Sequence, residues 1–505
     1  MQGQKEYSEK LFTNFQLSER IPKDNFYRRL GEVLDLRFIR KLTKSYYGSC
    51  GQKSIDPVVC MKLMLVGMLE NINSDRRLMK HCAMRMDILF FLGYDIDEPL
   101  PWHSTLSRTR SLIPKEVFES CFSEVFKLCV DAGLVSGKTQ AIDSAPVKAN
   151  ASMDKLEKRL VDITPEEHIK AVLSNPENED ANTRDRQDTK GRGPKGGTRK
   201  TKSGKSNKTH FSPNDPDARM STKPGKSLKL NFHAHLSVDQ ANHVISDAFM
   251  NFADVKDSLS LPTIVDHLHK RLTTHGLIWS NALADTNYSS GANYELLEKK
   301  NIESYIPVHG AYKGGPEGFT YHKSADYWLC PNGKPARFKG NVKKSDWPKK
   351  RYATTAADCS GCPLKAECLS AKSKYKQFTV TTYYEQYQSA IERVKSKKGA
   401  HLAKKRSSTV EPVLGSLTQF FGLQKVYSKG INSARKVLIC SAMAYNLKKL
   451  LKYRCKKAET VIAELGLPQK APALLQKRTF QAQKRLVFDF FNLISQLLRP
   501  QIRFC

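Results

Sequence analysis

The stretch Leu228-Lys-Leu-Asn-Phe-His-Ala-His-Leu-Ser-Val-Asp239 alternates apolar and polar residues without a miss. Leu228, Leu230, Phe232, Ala234, Leu236 and Val238 fall on one face, and Lys229, Asn231, His233, His235 and Ser237 on the other, as in a half-covered strand. The polar face predicts solvent or a phosphate around His233 and His235 rather than a metal. A turn at 239–242 leads into Val244–Met250, an antiparallel partner. Upstream, Leu134–Ser144 reads as a short buried strand with Asp143 at its tip. Downstream, Leu259–Leu272 is helical, Ile278–Ala284 is a strand ending at Asp285, Ala292–Lys300 is a helix and Ser304–Val308 a strand. The order β, β, β, α, β, α, β predicts a mixed sheet with helices, an α+β or α/β core.

Ahead of that core the period is helical. Asp56 can cap a helix that opens with Pro57 and carries Val58, Met61, Leu65, Met68 and Leu69 on one stripe. Ser74–Met86, Met86–Gly93 and Lys115–Ala132 show the same spacing, with a short polar helix, Ser104–Ser111, between loops. Leu100-Pro-Trp-His-Ser-Thr-Leu-Ser-Arg108-Thr-Arg110 reads as the recognition helix of a helix-turn-helix unit, capped by Ser104 or Thr105 and presenting Arg108 and Arg110 to DNA; plain bundle architecture is the other reading. The expected division is an all-α, helix-turn-helix-like domain over 1–133, the mixed-sheet core over 134–455, and a helical tail over 456–505. Two insertions interrupt the core, a polar one at about 151–226 and a cysteine-bearing, turn-rich one at about 310–398.

The chain has 505 residues, 40% apolar and 26% charged, with a formal net charge of +33. That composition is globular but too basic for an ordinary cytosolic enzyme, and it predicts a polyanionic partner, DNA or RNA rather than a membrane. Arg186–Lys208 alone holds nine Lys or Arg against one acid. It reads as a solvated, disordered insertion that can follow a DNA backbone. The longest apolar run, Val58–Leu69, is broken by Lys62 and is too short to span a bilayer. Met1–Tyr27 lacks the features of a signal peptide, so the expected location is cytoplasmic, with the nucleoid. Cys60, Cys82, Cys121, Cys129 and Cys440 sit among apolar residues and read as reduced, buried thiols.

Cleaving and joining phosphodiesters calls for two oxygen-loving metal ions about 4 Å apart, held by converging carboxylates. Mg²⁺ suits two or three Asp or Glu side chains and retains waters. Asp143 and Asp285 end predicted strands, and Glu411 falls in the first turn of a helix whose stripe begins at Val410. Each can equally be a cap or turn residue.

The motifs Gln140-Ala-Ile-Asp143-Ser-Ala-Pro-Val-Lys-Ala-Asn150, Ala284-Asp285-Thr-Asn-Tyr288-Ser289 and Val410-Glu411-Pro-Val-Leu-Gly415 resemble the three acidic motifs of bacterial insertion-sequence DDE transposases. Asp215-Pro-Asp-Ala-Arg-Met220 with Lys226, and the late helix with Tyr445-Asn446, extend the likeness over roughly 54–451. The resemblance implies a ribonuclease H-like catalytic domain of the cut-and-paste type and two Mg²⁺ (or Mn²⁺) ions on Asp143, Asp285 and Glu411. It also implies transfer of freed 3′ hydroxyl ends into target DNA after recognition of terminal inverted repeats. Tyr288 and Arg406 follow as second-rank site residues. Many such transposases place a Tyr and an Arg shortly before the Glu and a Lys seven residues after it. Here Arg406 lies five before and position 418 is Thr, leaving Lys425, Lys429 and Arg435 as candidates for that DNA contact. Pairing two DNA ends implies a homodimer. A catalytically silent DNA-binding regulator and a ribonuclease H-like nuclease without strand transfer are the alternative functions.

Cys330, Cys359, Cys362 and Cys368 offer one CxxC pair and two more thiols, the set a structural Zn²⁺ takes. Unliganded reduced thiols in a loop-rich insertion are the alternative. Lys334, Arg337, Lys339, Lys343 and Lys344 lie close in sequence.

Overall fold

Asp56 accepts the Val58 backbone N–H and Pro57 supplies the first helical residue, so the helix Pro57–Leu69 starts where the sequence predicts. Its burial is wider than one stripe: Cys60, Met61, Leu63, Met64, Leu65 and Val66 are all buried. The reason is a second layer, because the long helix Ile431–Glu464 packs on it as well as the other N-terminal helices. In this computed structural model the described residues are 16–48, 54–159, 205–222, 227–310, 312, 314–342, 348–370 and 372–464. Most of the basic insertion, including the run from Arg186 to 204, lies outside them, as do Lys226, Lys343, Lys344 and the tail beyond 464.

The helical layer continues through Asp75–Ala83, Met86–Leu92, His103–Leu112 and Lys115–Asp131. The helix His103–Leu112 begins after Trp102 with no side-chain cap, so Ser104 and Thr105 lie inside its first turn instead of capping it.

Among the described residues eight strands follow: β1 (Thr139–Lys148), β2 (Glu157–Lys158), β3 (His210–Phe211), β4 (Arg219–Ser221), β5 (Lys229–Asp239), β6 (Ile245–Phe252), β7 (Asn281–Leu283) and β8 (Glu303–Tyr305). β2 and β3 pair only with each other, while the main sheet runs β4-β5-β1-β7-β8 with β6 also on β5. β5 is antiparallel to β1, β4 and β6, and β7 is parallel to β1 and β8. The helix Asp257–Thr274 connects β6 to β7, and Gly291–Lys299 connects β7 to β8. β1, β5, β6, β7 and β8 with their two helices keep the predicted order in a structure of mixed helix and sheet, while β2, β3 and β4 arise inside the insertion that was expected to be without strands.

Two details differ. β1 runs on to Lys148, so Asp143 sits mid-strand opposite Leu236 and not at a strand tip. β5 is covered on both faces: Asn231, His235, Ser237 and Asp239 are as buried as their apolar neighbours.

The cysteine-bearing block is not a set of turns. It forms a five-stranded antiparallel sheet in sequential order, β9 (Thr320–His322), β10 (Tyr327–Leu329), β11 (Pro335–Asn341), β12 (Lys349–Ala353) and β13 (Gln377–Thr381). Tyr384–Lys395 then leads to the helix Lys397–Phe420, capped by Ser396 accepting the Gly399 N–H. Glu411 therefore lies deep in that helix and not in its first turn. Val410, Val413, Leu414 and Leu417 press it onto the main sheet.

The helix Ile431–Glu464 packs on both layers. Asn446 accepts the Ile245 N–H through Oδ1 at 2.9 Å and donates from Nδ2 to the Ile245 carbonyl at 2.8 Å, completing the backbone of β6 with a side-chain amide. Its start is capped by a segment far back in the chain, with the Gly430 N–H on Asp215 and the Ile431 N–H on Asp217. One buried cluster draws residues from Tyr27 to Leu451, out of both helices and sheet.

Candidate active site

The parallel ladder between β1 and β7 ends at the pair Ala141↔Leu283. Asp143 and Asp285 each stand two residues beyond that pair, so the register delivers both carboxylates side by side at the same edge. There β7 stops, and Asp285 caps a short 3₁₀ turn, Thr286–Tyr288, by accepting the Asn287 N–H. Both carboxyls are pushed above the usual range. For Asp143 burial is the main cause, opposed by the Ser144 N–H and the Arg406 guanidinium and reinforced by the charge of Asp285. For Asp285 burial again leads, followed by the negative charge of Asp257.

The third acid arrives from the helix Lys397–Phe420. Arg406 Nη1 donates to Asp143 Oδ2 at 2.8 Å, and Arg406 Nη2 lies 3.5 Å from Glu411 Oε1. One guanidinium thus ties the first acidic residue to the third. Arg406 and Asp143 are mostly buried, with side chains 18% and 15% exposed, whereas Glu411 is 56% exposed and faces solvent.

Behind these groups lies a cluster that the sequence reading did not assign. Asp257, buried at the start of the helix Asp257–Thr274, accepts from Ser144 Oγ at 3.2 Å and has His233 Nδ1 at 3.3 Å. His233, His235 and Asp257 bring possible ligand atoms within 4.8 Å of one another. Tyr288 is fully buried and its hydroxyl sits 2.8 Å from His235 Nδ1. Burial raises the phenol well above 10 and, with help from His233, drives the His235 imidazole down to about 3, so both groups are neutral. In the neutral ring the hydrogen sits on Nδ1 or on Nε2, and the phenol accepts from Nδ1 in the first tautomer and donates to it in the second. That buried Nε2 has no hydrogen-bond partner among the described residues. The available signal was a strand with polar residues on one face that nevertheless had to pair on both edges. Asp257 gave none, since an acid in the first turn of a helix is ordinary.

The basic candidates divide by accessibility. Arg108 and Lys429 are exposed, and Lys425 is half-buried with its ammonium 4.9 Å from the centre of the Tyr427 ring. Arg110 instead pairs with Asp75 at 2.5 Å. Arg435 donates to the Met250 carbonyl and lies over the Phe249 ring. Arg110 and Arg435 are thus spent on internal partners. Cys60, Cys82, Cys121, Cys129 and Cys440 are free and buried, as expected.

Comparison with known families accounts for both ends of this arrangement. Residues 15–112 match the family described as Transposase domain (DUF772). Residues 329–451, which include Arg406 and Glu411, match the family described as Transposase DDE domain. The chain carries two transposase domains; together the matches support an insertion-sequence DDE transposase. Asp143 and Asp285 lie between the two matched segments. No curated protein matches the chain. Among the described residues no helix is long and apolar enough to cross a membrane.

Proposed function

We propose that the chain cleaves phosphodiester bonds at the ends of an insertion sequence and transfers the resulting 3′ hydroxyl ends into target DNA. Asp143, Asp285 and Glu411 are the residues that hold two Mg²⁺ or Mn²⁺ ions. The observation that carries this reading is the register at the end of the β1/β7 ladder, which puts Asp143 and Asp285 in line while Arg406 draws in Glu411. The sheet order β6-β5-β1-β7-β8, with three antiparallel strands followed by two parallel ones, supports a ribonuclease H-like core.

The donor set fits hard divalent cations. Both carboxyls hold their protons more tightly than usual, first through burial and then through a neighbouring negative charge, that of Asp285 for Asp143 and that of Asp257 for Asp285, so a bound cation is favoured there. When bound, the ions supply activation of the attacking oxygen and stabilisation of the leaving oxygen. The chain's own residues set the geometry. Arg406 fixes Asp143 and offsets part of its charge. Tyr288 is too deeply buried to touch DNA; through His235 it anchors the 3₁₀ turn that aims Asp285, which makes it a positioning residue. Arg108, Lys425 and Lys429 are the accessible cations for the DNA backbone, and the helix His103–Leu112 is the proposed reader of terminal repeats. Pairing two ends favours a homodimer.

The test is incubation of the protein with labelled terminal-repeat DNA and Mg²⁺ or Mn²⁺, alongside Asp143→Ala, Asp285→Ala and Glu411→Ala. Wild type should nick and join while each variant binds without doing either. Binding by wild type with no nicking would sink the enzyme reading and leave a DNA-binding regulator; nicking without joining would leave a nuclease.

A further inference from the structure

The sheet β9–β13 has a thin interior. Its core cluster is Trp328, Ala336, Tyr352 and Val380, with Phe319, Tyr321, Phe378 and Tyr384 packed against them. So small a core supplies little stability to a five-stranded unit. Because the strands are antiparallel, the turn 330–334 joining β10 to β11 and the connection 354–376 joining β12 to β13 emerge at the same end. The regular structure in that connection consists of two short helices, Ala356–Ser360 and Lys365–Cys368. A connection of this kind needs something to hold it.

All four cysteines of the block lie in these two connections. Cys330 is in the turn, Cys359, Cys362 and Cys368 are in the longer segment, and the four line a single cavity together with Lys334, Lys365 and Lys376. Local hydrogen bonds fix the positions of two of the sulfurs. The Lys334 N–H donates to Cys330 Sγ at 3.3 Å, within a turn closed by the Gly333 N–H on the Cys330 carbonyl, with Gly333 at φ +70°. Thr354 Oγ1 lies 3.1 Å from Cys359 Sγ.

We propose that Cys330, Cys359, Cys362 and Cys368 bind a structural zinc ion that pins the connection 354–376 to the turn 330–334. Four thiolates satisfy a tetrahedral ion and leave no open position, so the site's role is structural. Loading takes one Zn²⁺ and releases four thiol protons, leaving a double negative charge beside Lys334, Lys365 and Lys376. The sulfurs are not within 4.8 Å of one another as a set; among the described residues only His233, His235 and Asp257 are. The ion's charge is what draws the sulfurs to Zn–S distances of about 2.3 Å.

The full-length protein, purified without chelator, should contain about one zinc per chain by mass spectrometry. Cys359→Ser and Cys362→Ser should each lose it, while His235→Gln should retain it, which separates this site from the histidine cluster. Should the cysteine variants fail to fold, titrating wild type with an organomercurial should release one zinc for about four thiols modified. Cobalt in place of zinc should give the intense visible bands of tetrahedral thiolate ligation. Absence of zinc and of those bands in reduced wild type overturns the proposal, as does unchanged zinc content in the Cys359→Ser/Cys362→Ser double variant.

Discussion

Arg406 and Asp143 are 263 positions apart in sequence and 2.8 Å apart in space. The pair joins the helix Lys397–Phe420 to the middle of β1 through two mostly buried side chains. Removing the guanidinium strands the carboxylate in a site that already disfavours its charge. Arg406→Gln should therefore lower stability by about 1–3 kcal/mol in chelating buffer. Added Mg²⁺ should recover more of that loss than it adds to wild type. Thermal unfolding with EDTA and with Mg²⁺ measures both effects; an unshifted midpoint in EDTA would show that the pair holds nothing together.

His235 predicts an acid-sensitive fold. Its ring titrates near 3 in the folded chain against an ordinary value of 6.5, because burial excludes the charged form. Between these values the unfolded chain binds a proton that the folded chain refuses. Stability contributed by the neutral ring is fully present above about pH 6.5 and is lost as pH falls, by up to about 1.4 kcal/mol per unit. His235→Phe keeps a ring in place and should flatten the dependence of the urea midpoint on pH between about 5 and 6.5. It should also lower the plateau, because Tyr288 loses its partner. Parallel curves for the two proteins would remove His235 as the source.

Asn446 offers a test of the clamp on β6. Asn446→Ala leaves the N–H and carbonyl of Ile245 buried without partners, at a cost of about 2–4 kcal/mol. Urea denaturation should show the loss, and hydrogen exchange should find the Ile245 amide opening early. Wild-type protection at that amide in the variant would mean that another group had taken over the bonds.

Arg108 and Arg110 share a helix and should behave oppositely. Arg108 is exposed, so Arg108→Ala should weaken DNA binding and reduce the salt slope by about one. Arg110 is paired with Asp75, so Arg110→Ala should lower stability and leave that slope unchanged. Fluorescence anisotropy across a salt series, with unfolding midpoints for both variants, separates the two. Equal salt slopes in wild type and Arg108→Ala would take Arg108 off the DNA surface.

The main sheet was legible because its strands keep clean periods and lie in simple order along the chain, and the acidic motifs were legible because short contexts surround them. Depth was harder to read. The alternation at β5 marked a strand but not its central place, so His235 was expected on an open face when β1, β6 and the helix Asp257–Thr274 enclose it. The start of Glu411's helix was hidden by Lys397-Lys-Gly-Ala-His-Leu-Ala-Lys-Lys-Arg406, whose largely exposed lysines carry no apolar stripe. The strands β9–β13 were missed for a related reason: they are short, and their interior is mostly aromatic side chains drawn from distant positions. Asp257 became visible only through the residues around it.

The clamp of Asn446 on Ile245 also sets a timetable for synthesis. A nascent chain makes β6 some two hundred residues before the ribosome delivers the amide that completes its backbone. Until then the apolar flank shared by β6 and the helix Lys115–Asp131 waits uncovered, a surface on which holding chaperones can act. A product broken off before residue 446 possesses Asp143, Asp285 and, in longer fragments, Glu411, yet lacks the part that locks their scaffold. Chain order thereby places the helix Ile431–Glu464, which completes the backbone of β6, long after the strands it covers.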